Sequence, residues 1–140
     1  MDLKSLAYTS LARLDLTSDD LADIHRTARD FNALEGVTGL LIYNGTHFLQ
    51  IIEGAADAVD GLVERLRRDA RHSGFEVRDE RRIEQRSFPD WAMELALVKD
   101  NYFEARDDIV QRLPTSVATD VRDRLIAMTE QISGTVEMPR

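Results

Sequence analysis

The sequence predicts an α+β fold, a sheet with two helices on one face and two more helices on the other. Three observations carry this. Asn44-Gly45 joins two short apolar runs, and both residues tolerate the positive φ of a two-residue hairpin. Two segments, Leu21 to Phe31 and Val59 to Ala70, place apolar residues at spacings of three and four. A last segment, Val117 to Ile132, repeats that spacing beyond the final strand-like run.

Taken in order, Leu3 to Leu11 reads as the first strand, with Leu6, Tyr8 and Ser10 on one face and Ser5, Ala7 and Thr9 on the other. Thr17-Ser18-Asp19-Asp20 opens a helix: Thr17 or Ser18 can cap it, and the acids suit its positive end. Leu21, Ile24, Ala28 and Phe31 form its apolar stripe, and Gly36 ends the region. Val37 to Tyr43 and Thr46 to Glu53 are the two arms of the hairpin, broken at Gly54. The second helix runs from Ala56 to Arg71 on the stripe Val59, Leu62, Val63, Leu66 and Ala70, with Gly74 ending it. Glu76 to Arg86 alternates charges around Val77 and Ile83, as a strand near a sheet edge does. Pro89 punctuates, and Ala92 to Val98 is the last strand.

The order βαββαββ is the ferredoxin-like pattern, in which strands one and three are expected as central, parallel neighbours. Beyond it, Tyr102 to Leu113 reads as a helix broken by Pro114. Thr115 or Ser116 then caps a helix whose stripe is Val117, Val121, Leu125, Met128 and Ile132. These helices are expected to cover the sheet face that the first two leave bare.

The chain has 140 residues, 43% hydrophobic and 31% charged, which suits one soluble domain with a real core. Its net charge of −8 disfavours nucleic acid and anionic membranes as partners. The basic run Arg65, Arg67, Arg68 and Arg71 reads as a solvated helix face, with an anion or cofactor role as the other reading. There is no cysteine, hence no disulfide, no thiolate metal site and no thiol adduct. The N-terminus is charged too early for a signal peptide and no run is long enough to span a membrane, so a cytoplasmic protein is expected.

The stretch FLQIIEG, Phe48 to Gly54, sets an amide inside a buried strand. An unpaired Gln50 there would cost about 1–3 kcal/mol, so it calls for a partner. Tyr8 lies in mid-strand one with the parity of Leu6, and Gln50 shares parity with Phe48 and Ile52. Asn32 stands near the end of the first helix. Three polar groups meeting in an apolar cleft is the profile of a small-molecule site. A core tyrosine, a backbone-paired Gln50 and a helix-capping Asn32 account for the same residues, so position and polarity leave both readings open.

At these residues the sequence resembles the BLUF family, small flavin-binding blue-light sensors. The resemblance lies in LAYTS at 6–10, FNALEGVTGLLIYNGTHFLQIIEG at 31–54 and FPDWAME at 88–94. It implies that Tyr8, Asn32, Gln50, Arg65 and Asp69 hold or border a flavin, and that Trp91 and Met93, read as sharing a strand face, relay the signal. His72, next to Arg71, is a candidate for contact with a cofactor phosphate, whereas His25 and His47 read as surface residues. Phe31 stands where many members carry a polar residue.

The resemblance also implies a mechanism without net chemistry. Tyr8 gives up an electron and a proton on illumination, Gln50 rearranges, and the absorption shifts to the red until it relaxes in darkness. An amide suits this because its donor and acceptor ends have similar size. FAD is expected rather than FMN. Residues 1–98 form the sensor and 99–140 a helical extension of the same compact unit. Output is expected to pass to a separate protein or through self-association as a homodimer. The competing reading is a light-insensitive ferredoxin-like module that binds a ligand or a protein. No G-x-G-x-x-G, H-E-x-x-H or P-loop signature suggests an enzyme.

Overall fold

The computed structural model describes residues 2–99 and 101–133. The last seven residues of the expected extension lie outside them. The element order is β1 (Leu3–Ala12), α1 (Ser18–Glu35), β2 (Thr38–Tyr43), β3 (His47–Ala55), α2 (Ala56–Arg67), β4 (His72–Ile83), β5 (Glu94–Leu97), α3 (Tyr102–Arg112) and α4 (Thr119–Ile132). The strands form one sheet in the order β4-β1-β3-β2-β5.

The ferredoxin-like order of elements holds, but β1 and β3 are antiparallel, not parallel. The reason is connectivity. The α1 crossover sets β2 in the direction of β1, and the tight Asn44-Gly45 turn reverses β3 against both. The parallel contact in the sheet is β2 with β5.

Each face of the sheet buries its own apolar layer. Leu6, Tyr8, Phe48 and Ile52 pack with Leu21 of α1 and with Val59, Leu62 and Val63 of α2. Ala7, Leu40, Leu49 and Ile51 point the other way and pack with Ile109 of α3 and with Val121, Leu125, Met128 and Ile132 of α4. The period of two along the strands separates the layers, and the C-terminal stripe closes the second.

Several boundaries move. Thr17 caps α1 in a full capping box with Asp20, and Gly36 at φ 68° ends it. Gly54 does not end β3; a Cβ there would lie 3.1 Å from a Val37 methyl, so glycine permits close packing within a continuing strand. Helix α2 stops at Arg67, Ala70 is exposed, and β4 begins already at His72 because it pairs with Ala12 at the far end of β1. Gly74 lies inside β4 instead of ending a helix. Neither Thr115 nor Ser116 caps α4, which starts after Ala118. The Ser116 hydroxyl instead donates to the Ser87 carbonyl at 2.6 Å.

Candidate functional site

The register of the sheet builds the site. Tyr8 on β1 stands opposite Gln50 on β3, and Gln50 stands opposite Leu41 on β2, so the three form one row across the sheet. Side chains opposite each other on one face lie about 5 Å apart at Cβ, within reach of a phenol and an amide. The Tyr8 hydroxyl donates to Gln50 Oε1 at 2.5 Å, and Gln50 Nε2 donates to the Met93 thioether at 3.3 Å. Gln50 is 3% exposed, so these bonds offset most of the cost of burying an amide. A primary amide has a second N–H and a second lone pair, which leaves Gln50 capacity for a ligand.

The row floors a cleft between α1 and α2. Ile24, Thr27, Ala28 and Phe31 of α1 form one wall, and Leu62, Arg65 and Leu66 of α2 form the other. The cleft is open at its mouth and lined mainly by apolar side chains with a few polar groups converging on it, as small-molecule sites are. The α1 stripe therefore lines a binding space more than it fills a core: of its members Leu21 alone is fully buried.

Charges collect at one end. Arg71 holds Asp69 through Nε and Nη2 and reaches across to Asp23 of α1 at 3.1 Å. These bonds, above all the Arg71 hydrogen bond, keep the Asp69 carboxyl below its ordinary range despite partial burial. Tyr8 responds in the other sense. Burial first, and then the negative Asp69, raise its phenol far above the ordinary value, so it stays a proton donor throughout the neutral range. Its ring stacks on Phe75 with centroids 4.3 Å apart.

The sequence-derived residues fall into place unequally. Tyr8, Gln50, Arg65, Asp69 and His72 all border the cleft. His72 opens β4, and both its ring nitrogens bond within the chain: Nε2 donates to the Leu66 carbonyl at 2.6 Å and Nδ1 shares a hydrogen bond with the Ser10 hydroxyl at 2.8 Å. Asn32 is fully buried and does not cap α1. Its Nδ2 donates to the Ala92 carbonyl at 3.0 Å, while its Oδ1 has no partner among the described residues.

Trp91 and Met93 do not share a strand face. Both precede β5; Met93 joins the cleft layer, whereas Trp91 packs with Phe88 in the layer under α3 and α4. His25 and His47 are half-buried, not free surface residues, and His25 Nε2 contacts the Met93 carbonyl at 2.8 Å. Of the basic run, Arg65 lies 4.2 Å over the Phe31 ring and Arg67 4.7 Å over Phe75, while Arg68 is exposed. The apolar Phe31 thus gives Arg65 a face to rest on, worth roughly 0.5–1 kcal/mol at an exposed site. The sequence pattern does not single out Phe75 or Asp23: the folding of β4 stacks Phe75 on Tyr8, and the bridge from Arg71 ties Asp23 to the cleft's charged end.

The profile of the BLUF family, sensors of blue-light using FAD, matches residues 3–94. The chain belongs to the BLUF family. It is a blue-light sensor that uses a flavin. The beta subunit of the photoactivated adenylate cyclase of Euglena gracilis is 35% identical over 92 residues, 65% of this chain and 11% of that protein. The chain spans about a tenth of the length of such curated relatives. The dark-state structure of the BLUF protein BlrB is 34% identical with a TM-score of 0.73, over 93% of this chain and 97% of that one. BlrP1 of Klebsiella pneumoniae, solved with FMN and cyclic diGMP, is 25% identical with a TM-score of 0.73, over 91% of this chain and 33% of that one. Among the described residues no helix is long and apolar enough to cross a membrane.

The residues fit a flavin. The apolar cleft suits a flat ring, and Asn32 Oδ1 offers a buried acceptor that no described residue uses. Asn32→Ala should lower the flavin-to-protein ratio after purification by several-fold, since it also frees the Ala92 carbonyl; an unchanged ratio would show that Asn32 serves the fold alone.

Proposed function

We propose that this BLUF chain holds FAD between α1 and α2 and converts blue light into a changed hydrogen-bond pattern at Gln50. The Tyr8–Gln50 bond in the cleft floor carries this reading. Bound there, a flavin supplies the blue absorption and, once excited, an acceptor for one electron. Tyr8 would supply that electron. Its oxidised phenol would be a strong acid, so the proton would leave along the bond that Tyr8 donates, toward Gln50 Oε1. With electron and proton returned to Tyr8, Gln50 would be left turned or tautomerised, with donor and acceptor ends exchanged. Burial keeps water from scrambling the exchange.

Asn32 would orient the polar edge of the ring, and Arg65, Asp69 and His72 would border the rest of the cofactor. FAD over FMN is supported by the family's description. Trp91 and Met93 would carry the change toward β5, α3 and α4, and from there to a separate protein or a second copy of the chain. The sensor unit is residues 1–98, with 99–140 as its helical extension.

The test is a light-minus-dark absorption spectrum of purified protein, followed through recovery in darkness. Gln50→Leu should keep flavin and show no shifted state, because an isobutyl group has neither end to exchange. A wild-type protein that holds flavin yet shows no red shift would sink the proposal, as would a normal shift in Gln50→Leu.

A further inference from the structure

The segment leading into β5 has no ladder partner until Glu94 pairs with Leu40, yet three successive carbonyls in it are held. The Gly39 N–H donates to the Trp91 carbonyl at 2.8 Å, Asn32 Nδ2 to the Ala92 carbonyl at 3.0 Å, and His25 Nε2 to the Met93 carbonyl at 2.8 Å. Two of these holds come from α1. His25 and Asn32 are two helical turns apart on one face, so α1 grips consecutive carbonyls of one extended stretch.

The third held residue is the one whose side chain touches the photoactive pair. Met93 is 2% exposed, and its thioether accepts from Gln50 Nε2. A thioether is a weak acceptor on a side chain with three rotatable bonds. It can favour one orientation of the Gln50 amide only where its backbone is fixed. The fixing contact is His25, which donates from Nε2 in its neutral Nε2–H form and in its charged form alike.

We propose that His25 is a positioning residue of the light response: by pinning the Met93 carbonyl to α1 it places the thioether beside Gln50 and sets the rate at which the rearranged amide returns in darkness. This rests on the assignment of Tyr8 and Gln50 as the photoactive pair. It gives α1 a second task besides forming a cleft wall. It also assigns the hold on the relay segment to a side chain that touches neither the cleft floor nor Tyr8.

Two readouts test it. The first needs no light. With methyl-labelled methionine, the Met93 resonance of the flavin-free protein should move or broaden in His25→Ala, while the Met128 resonance, from the opposite layer, should stay in place. The second is dark recovery of the flavin-loaded protein. His25→Ala should change its rate on the order of threefold to tenfold, the range of one lost hydrogen bond. His25→Gln, whose amide can donate to the same carbonyl, should restore it in part. In a Met93→Ala background, His25→Ala should have no further effect.

An unmoved Met93 resonance with wild-type recovery in His25→Ala overturns the proposal. So does a recovery effect of full size in the Met93→Ala background, since His25 would then act by another route. If the wild-type protein gives no red shift, the photoactive pair itself is misassigned and the recovery role falls with it. The methyl signal still decides whether His25 places Met93.

Discussion

Tyr8→Phe should bind flavin at the wild-type ratio and show no light-induced red shift. Phenylalanine keeps the ring, its stacking on Phe75 and its place in the apolar layer under α1 and α2. It removes one oxygen and with it the 2.5 Å bond to Gln50 Oε1. A phenyl ring has no acidic proton to release and is far harder to oxidise than a phenol, so both halves of the proposed transfer are lost together. The structural cost is that of an amide oxygen losing its donor, about 1–3 kcal/mol, because Gln50 Nε2 still reaches Met93. Light-minus-dark spectra and the flavin-to-protein ratio, measured on the same sample, separate a lost reaction from a lost cofactor. A normal shift in this variant would remove Tyr8 from the mechanism.

Gly39→Ala should unfold the protein or destabilise it by more than about 3 kcal/mol. Gly39 lies on β2 opposite Ile52, and a Cβ there would stand 2.0 Å from the Ile51 carbonyl oxygen and 3.0 Å from its carbon. Both are backbone atoms of the neighbouring strand and cannot swing aside as a flexible side chain can. To admit the methyl group, β2 must part from β3 beside the Leu41–Gln50 pair, and the Gly39 bond to the Trp91 carbonyl must stretch. Urea unfolding measures the loss. Gly61→Ala is the control: the added methyl meets nothing within 4 Å on α2, and replacing a helical glycine should stabilise by roughly 0.5–1 kcal/mol. Equal midpoints for the two variants would show that the strand contact has been misjudged.

Much of this architecture was legible in the residue pattern. The Asn44-Gly45 turn, the helix start capped at Thr17 or Ser18 and the stripe closing the second layer each follow from local chemistry that nothing in the tertiary structure opposes. That Tyr8 and Gln50 lie near each other was legible from the central place and parity of their strands, although those strands were expected parallel and the register that sets the two opposite each other is antiparallel. The direction of β3 required following the chain through the α1 crossover and the hairpin together.

Other features were set by tertiary contacts that carry no local signal. The early end of α2 reflects the pull of β4 toward Ala12, which overrode continuing helical spacing. Trp91 and Met93 fall on one strand face only if strand alternation extends back before β5; two side chains and the Gly39 N–H, not a continuous ladder, hold that stretch. His25 looked like a surface residue since a histidine two turns before Asn32 announces nothing until the relay segment folds against it. Glu53 was read simply as the end of a strand. It is 1% exposed, and its carboxylate accepts from the Ser87 and Phe88 N–H groups, fastening the loop that delivers Trp91 and Met93.

Asn44 does more than reverse the chain. Its Oδ1 accepts from the Thr46 and His47 N–H groups and shapes the turn, while its Nδ2 donates to the Ile132 carbonyl at 2.7 Å. One side chain thus rivets the tip of the β2–β3 ribbon to the last residue of α4. Gln50 rides on the same ribbon, a few residues further along, on the opposite face from that helix. A tilt of the ribbon would therefore drag the helix terminus with it, a mechanical linkage through the sheet that bypasses Trp91 and Met93 altogether.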